Sequence, residues 1–313
     1  MVVTLALKGF TRLYPYKGGT EEAIAPLSRE HKEWLPAVEL NGEGIFIKFN
    51  DEAIDSWCER NAERYAEMSH AHEESFLKSP KFSAKYVLLH SFAHLFIRQL
   101  ANECGYSAAS INEKIYSDFT DGSNPARMNG ILIYLSSPDS DGSLGGLVSV
   151  AEETDLLDKV LKNMLAESRW CSSDPLCSSS MHQGFASLNY AACHACTLLP
   201  ETSCEIQNVL LDRVSVTGKP EKPEIGFFGD LVMSIEQVRQ INRPYKPSNR
   251  PLKPLNRPHI PANRPHKLLN RPHIPKNENA LFAKEAKSSA NRAVLRLYYS
   301  RAEPSTLKKP HKY

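Results

Sequence analysis

The sequence predicts an α+β protein, a helical subdomain with a small sheet, followed by a disordered basic tail. Three observations carry this. Apolar residues recur at helical spacing between positions 51 and 169, a short apolar run at 130–135 interrupts them with strand character, and a proline-rich repeat without acids begins at Asn242. With 313 residues, 41% of them hydrophobic, the chain is long enough for one large globular domain or two small ones.

Taken in order, residues 1–50 mix short apolar runs, Val2–Leu7 and Gly44–Phe49, with turn residues, which predicts strands and loops whose pairing is not legible. From Asp51 to about Ser75, Ile54, Trp57, Cys58, Ala62, Tyr65 and Met68 fall at helical spacing with charge between them. The next helix has clear ends: Ser83 can cap it, Gly105 can stop it, and Tyr86, Leu89, Phe92, Ala93, Phe96, Ile97 and Leu100 form a face broad enough to be central in a core. Residues 130–135 read as a buried strand, 136–146 as a Gly/Ser/Asp loop, and Val150 to Arg169 as an amphipathic helix. Thr202 and Glu205 have capping-box spacing ahead of Ile206, Val209, Leu210 and Val214, which predicts a helix opening at Cys204. The globular part is expected to finish near Val238.

Asn-Arg-Pro then recurs at 242, 249, 256, 263 and 270. Proline in every copy forbids a continuous helix, so the seven-residue period is not a coiled coil but an extended, polyproline-II-like segment. From Asn242 to Tyr313 there are 17 Lys+Arg against 3 Glu, so a net charge of +2 conceals an acidic body and a basic tail. Between Asn242 and Lys276 no acid accompanies Arg243, Arg250, Arg257, Arg264 and Arg271. These five arginines are candidate phosphate contacts, with Tyr245, His259, His266 and His273 available to stack on bases. Beyond the repeat, Ala286, Ala290, Val294, Leu297 and Tyr298 predict a last, basic, amphipathic helix over 279–302.

Of seven cysteines, five crowd into Cys171-x5-Cys177-x15-Cys193-x2-Cys196-x7-Cys204, leaving Cys58 and Cys104 in helical patterns. No run approaches the ~18 apolar residues of a membrane span, and Lys8 interrupts the first apolar stretch, so the chain is expected to be cytoplasmic. In such a reducing compartment the clustering favours a metal over disulfides. Zinc takes four soft or borderline ligands in a tetrahedron, and the two-residue gap lets Cys193 and Cys196 present two thiolates from one knuckle. Cys204, at a predicted helix start, has its thiolate favoured by the helix dipole. Cys177, after an Asp-Pro turn, completes the expected set, with Cys171 as its alternate and His182 or His194 as possible replacements for a sulfur. Four protein ligands leave no open position, so this zinc is expected to be structural.

The run Cys171-Ser-Ser-Asp-Pro-Leu-Cys177, the stretch Ala191-Ala-Cys-His-Ala-Cys196, Pro200-Glu-Thr-Ser-Cys204-Glu, Asn208 and Leu211-Asp-Arg213 resemble the MrfA-like zinc-binding domain, in the form it takes in the DrmB family of the DISARM anti-phage system. His90-Ser-Phe-Ala-His94, Ile133-Tyr134 and Gly145-Gly146 are similar to the same domain upstream, so the resemblance covers roughly residues 83–215. It implies a zinc-stabilised module that accompanies a superfamily-2 helicase, fused or separate, in DNA repair or phage defence.

Other motifs are weaker. His90 and His94 lie one helical turn apart, a spacing that binds metal, but no Glu occupies position 91 and the zincin signature is missing; core histidines satisfied by hydrogen bonds are the plainer reading. The loop Asp139-Ser-Asp-Gly-Ser-Leu-Gly-Gly146 offers amides for a phosphate but lacks the Gly-Lys-Ser/Thr ending, and Ser143 has no Gly-x-Ser-x-Gly elbow, so neither ATP hydrolysis nor a hydrolase triad is expected. The sequence thus divides into an N-terminal α/β segment at 1–82, an MrfA-like zinc-binding domain at 83–240, the repeat tail at 241–278, and a basic helix and C-terminus at 279–313. The expected role is a non-catalytic zinc-binding accessory protein that partners a superfamily-2 helicase and contacts DNA through its tail. The rival expectations are a metal-dependent nuclease or hydrolase using Asp139, Asp141 and the histidines, and a non-functional remnant of a longer protein.

Overall fold

A computed structural model describes residues 2–7, 9–10, 25–75, 82–121, 124–135, 145–241 and 295–301. The loop with Asp139 and Asp141, the Asn-Arg-Pro repeat with its five arginines, and residues 279–294 lie outside the described residues. Two antiparallel ribbons open the chain: β1 (Val2–Ala6) pairs with β4 (Ala37–Asn41), and β2 (Gly9–Phe10) pairs with β3 (Ala25–Pro26). Four strands, β5 (Glu43–Phe49), β6 (Ile111–Asp121), β7 (Asn124–Leu135) and β8 (Leu295–Arg301), then form an antiparallel sheet in the order β6-β7-β5-β8.

The period-two pattern of β5 explains its central place. Ile45, Ile47 and Phe49 are fully buried on one face while Lys48 between them is exposed. Opposite it, Ile131 and Ile133 of β7 pair with Ile47 and Ile45 and are equally buried. Gly130 permits this approach, because a Cβ there would come within 2.5 Å of the Phe46 ring.

Against this face lies α3 (Ala84–Cys104), whose ends follow the sequence. Ser83 accepts a hydrogen bond from the Tyr86 amide, and Gly105 ends the helix in the left-handed region at φ 75°. It is buried on nearly every side, including His90, Ser91, His94 and Gln99, as expected of a helix surrounded by other elements rather than laid on a surface.

The helix expected from Asp51 to Ser75 is two, α1 (Asp51–Arg60) and α2 (Ala62–Glu74), broken at Asn61, whose buried side chain donates to the Trp57 carbonyl at 3.0 Å. Both pack into the same core as α3: Trp57 donates through Nε1 to the Ile225 carbonyl, and Tyr65 stacks on Tyr190. Residues 43–75 therefore share one core with the cysteine segment. The helix expected from Val150 to Arg169 is likewise divided, into α4 (Gly146–Glu152) and α5 (Thr154–Ser168), with Glu153 extended between them. The break lets α4 bury Leu147 and Val150 beneath the sheet while α5 buries Leu157, Val160 and Met164 beside α3. The N-terminus of α4 is held by buried Glu43, which accepts from the Gly145, Leu147 and Val148 amides and from Tyr106 Oη.

The cysteine segment has little regular structure: α6 (Leu176–Ser179), one 3-10 turn at Phe185–Ser187, and α7 (Arg213–Thr217). No helix opens at Cys204. Gln207, Asn208 and Leu210 have positive φ, and Glu205 is drawn away from any capping box to accept from the Ile115 amide and pair with Lys114. After α7, α8 (Gly229–Ile241) closes the body and carries it just past Val238. The basic helix expected at 279–302 is corrected over 295–301, which form β8 on the edge of β5. Leu295-Arg-Leu-Tyr-Tyr-Ser-Arg301 alternates as well as it follows a helical period, and the unpaired edge of β5 decides between the two.

Candidate metal centres

Among the described residues, two clusters of ligand-type side chains form around α3, and in each the ligand atoms all lie within 4.8 Å of one another. The first holds Cys171, Cys177, Cys193 and Cys196. Cys171 and Cys177 come from a tight loop organised by Asp174, whose carboxylate accepts from the Cys171 amide at 2.8 Å and the Ser178 amide at 3.0 Å. Cys193 and Cys196 come from a turn in which the Cys193 carbonyl accepts from the amides of Cys196 and Thr197. Arg98 on α3 fastens this turn by donating to the carbonyls of Ala195 and Leu198.

Sulfur separations are 3.4 Å for Cys171–Cys193, 3.7 Å for Cys177–Cys196 and 3.7 Å for Cys193–Cys196. A tetrahedral zinc with bonds of about 2.3 Å has sulfur–sulfur edges of about 3.8 Å. The separations are far from the ~2.05 Å of a disulfide, and all seven cysteines are free. The residues present fit a zinc ion. The Cys196 thiol is pulled down to about 4, chiefly because Cys177 donates to its sulfur; burial opposes this, and Thr197 Oγ1 and the Cys193 amide reinforce it. Cys177, the donor, is raised correspondingly.

Arg213 and Asp212 tie this loop to the body. Buried Arg213 donates to the Ser168 and Arg169 carbonyls at 2.8 Å and to both oxygens of Asp174 at 2.9 and 3.0 Å, and its charge acts on Cys196 and Cys177. Asp212 caps α7 and also receives Arg64 and Tyr65 from α2.

The sequence expectation for the ligand set changes in one respect. Cys171 and Cys177 are not alternates, because both sulfurs belong to the four-cysteine cluster. Cys204, expected beside the knuckle, lies instead with His90, His94 and Glu113. The reason is the missing helix: the turn from Cys204 to Asn208 aims the sulfur at α3, where His90 Nε2 is 3.2 Å away. His182 faces Glu67 at the surface and His194 is exposed, so neither replaces a sulfur.

In the second cluster Glu113 Oε1 lies 2.9 Å from His90 Nε2 and 3.3 Å from His94 Nε2, all in side chains with no exposure. Burial raises the Cys204 thiol, but His90 and His94 beside it together outweigh this and bring it down to about 6. Burial likewise opposes ionisation of Glu113, yet His94 and His90 hold it well below the usual carboxylate range. Glu113 is absent from the sequence expectation. Its signal is the alternation Ile111-x-Glu113-x-Ile115, which sets an acid on the buried face of a strand, where it requires a partner.

Two similarities to known proteins bear on these centres. Residues 92–197 match the MrfA Zn-binding domain, a span that contains all four cysteines of the first cluster but neither His90 nor Cys204. The DISARM protein DrmB of Bacillus paralicheniformis (strain ATCC 9945a / NCIMB 11709 / CD-2) is 42% identical over 210 residues, which is 64% of this chain and 36% of that protein. The chain spans about a third of the length of this curated relative. It carries an MrfA-type zinc-binding domain, related over part of its length to the DrmB proteins of DISARM.

Proposed function

We propose that this chain is a non-catalytic accessory protein in which one structural zinc, held by Cys171, Cys177, Cys193 and Cys196, fixes the segment between α5 and α7. It works beside a superfamily-2 helicase in anti-phage defence or DNA maintenance, and Arg243, Arg250, Arg257, Arg264 and Arg271 contact nucleic acid without reading its sequence. The observation that supports this reading is the closed set of four sulfurs at tetrahedral spacing inside the span matched by the zinc-binding family. Four thiolates occupy every position of a tetrahedral ion, so the metal holds backbone and has no place for substrate. The nuclease reading gains no support from the histidines it would use, since His90 and His94 have no solvent exposure and no DNA phosphate reaches them.

The decisive experiment is co-expression of the full chain with a superfamily-2 helicase from the same genome, followed by size-exclusion chromatography and zinc analysis of the complex. A stoichiometric complex formed by the wild type and lost in Cys193→Ser/Cys196→Ser is the expected result. Separate elution of two folded proteins, or metal-dependent cleavage of DNA by this chain alone, overturns the proposal.

A further inference from the structure

The second cluster is outside the reading just given and independent of it. We infer that His90, His94, Glu113 and Cys204 hold a second zinc ion, one that staples α3 to β6 and to the turn after the cysteine knuckle.

The geometry is that of a coordination shell without its centre. For zinc–nitrogen and zinc–oxygen bonds of about 2.0–2.1 Å and a zinc–sulfur bond of about 2.3 Å, tetrahedral edges run from about 3.3 to 3.6 Å. The separations here are 3.3 Å for His94 Nε2–Glu113 Oε1, on such an edge, and 2.9 Å for His90 Nε2–Glu113 Oε1 and 3.2 Å for His90 Nε2–Cys204 Sγ, each about 0.4 Å inside one, so the shell opens slightly around an ion. Two imidazoles, one thiolate and one carboxylate are a borderline donor set suited to zinc.

Proton accounting favours the ion over a plain hydrogen-bond network. His94 Nδ1 lies 3.0 Å from the Thr197 carbonyl, an acceptor, so that nitrogen carries the proton. If His94 Nε2 also donated to Glu113, the ring would be an imidazolium sealed from water. His90 Nε2 would have to serve Cys204 and Glu113 together; His90 Nδ1 and Glu113 Oε2 are buried without a hydrogen-bond partner among the described residues in either case, so the difference lies at the Nε2 atoms. With zinc at the centre, both Nε2 lone pairs point at the metal, and the His94 Nδ1–H···O=C bond to Thr197 is the outer contact that orients a ligating imidazole. One thiolate and one carboxylate then neutralise the dication, so no net charge is buried.

Outer contacts to the anionic ligands are in place as well. The Asn208 amide donates to Cys204 Sγ at 3.1 Å and the Glu205 amide to Glu113 Oε1 at 3.2 Å. Thr197 belongs to both centres, since its hydroxyl donates to Cys196 Sγ at 3.2 Å while its carbonyl orients His94. Full burial of the histidines and of Glu113 denies substrate an approach, so this zinc too is structural.

The test is metal content of the full-length chain, purified over a chelating resin to remove loosely bound ions, together with zinc-edge anomalous scattering from its crystals. Two zinc ions per chain are expected, with one anomalous peak among the four cysteines and a second among His90, His94, Glu113 and Cys204. Cys204→Ser and His94→Asn each lose one ion and keep the first peak; Cys193→Ser loses the other. A folded wild type with no peak at the second cluster overturns the inference, and because that result needs no variant it stands even if the substitutions prevent folding. One ion lost only with Cys193 sinks this inference and leaves the first site standing. One ion lost only with Cys204 does the reverse.

Discussion

Asp212→Ala is expected to be among the most damaging single substitutions outside the metal clusters. The carboxylate has no exposure, and five donors converge on it: Arg64 Nε at 3.1 Å, Arg64 Nη2 at 2.8 Å, Tyr65 Oη at 2.8 Å, and the amides of Val214 at 3.0 Å and Ala191 at 3.4 Å. Truncation leaves the Arg64 guanidinium, only 14% exposed, without its counter-charge, and removing one partner of such a pair costs about 3–5 kcal/mol. It also removes the N-cap of α7, worth about 1 kcal/mol. Tyr65 Oη would be left buried and unpaired, at a further ~1–3 kcal/mol. These contributions overlap, and roughly 4–6 kcal/mol in total is the expectation, against a global stability of about 5–15 kcal/mol. Asp212→Asn keeps an acceptor for Val214 but loses the charge, and belongs at about half that cost. The assay is urea unfolding followed by circular dichroism, run as a double-mutant cycle with Tyr65→Phe. The phenol should cost about 1 kcal/mol in the wild type and become neutral or stabilising beside Asp212→Ala, because its acceptor has gone. A cost for Asp212→Ala below about 1 kcal/mol, or a Tyr65→Phe effect identical in both backgrounds, would refute the reasoning.

Arg213→Lys should destabilise by about 2–3 kcal/mol and weaken zinc retention against a competing chelator, since an ammonium cannot serve two carbonyls and both Asp174 oxygens at once; undiminished retention in the Arg213→Lys variant would count against the brace. Gly105→Ala meets no atom within 4 Å, so its cost is conformational alone, about 1 kcal/mol from the left-handed φ, read as a shift in urea midpoint; no shift would mean the helix end relaxes freely. Replacing Arg243, Arg250, Arg257, Arg264 and Arg271 together by Gln should weaken binding to single-stranded DNA of any sequence and reduce the salt dependence, by about 0.7 in the log–log slope for each phosphate no longer neutralised. An unchanged slope in fluorescence anisotropy would remove the tail from the nucleic-acid interface.

The parts of the fold that sequence makes legible are those whose determinants are local. Ser83, Gly105 and the apolar residues between them define α3 because a cap, a stop and a period all lie within one segment. Strand β7 is legible at Gly130–Leu135 for the same reason, an uninterrupted apolar run with a boundary. Strand β8 is not, because its period is ambiguous over seven residues and the partner that decides it, β5, lies about 250 positions away. The metal clusters divide in the same way. Cys193 and Cys196 are paired by their spacing, whereas the choice among Cys171, Cys177 and Cys204 depends on a helix at Cys204 that Glu205 forgoes for the Ile115 amide. His90 and His94 are visible as a pair one turn apart, but Glu113 and Cys204 reach them from a strand and a turn whose placement no spacing encodes.

The cysteine segment has little periodicity to read for a related reason. Between Cys171 and Asp212 the regular structure is one four-residue helix and one three-residue 3-10 turn, yet Leu188, Tyr190, Ala191, Val209 and Leu210 are buried, so their backbone groups need partners that no ladder supplies. Backbone bonds between loops provide them, from the Tyr190 amide to the Leu211 carbonyl, the Leu210 amide to the Leu188 carbonyl and the Arg213 amide to the Ala191 carbonyl, and short amide side chains hold the same loops together. Asn189 donates to the Asn208 carbonyl and accepts from the Leu211 amide, and Asn208 donates to the Leu199 carbonyl and accepts from the Leu199 amide. Each bond fixes a loop against another loop rather than a residue against its neighbour in a helix. Such a lattice has no nucleus of its own, because every member presupposes the position of another. The two metal clusters supply that nucleus, one at the knuckle itself and one at the turn after it, and α3 carries the fixed side of both, through Arg98 to the turn at 195–198 and through His94 to Thr197. Loss of either ion would therefore be felt at the other, since Thr197 cannot move away from His94 without taking its hydroxyl from Cys196.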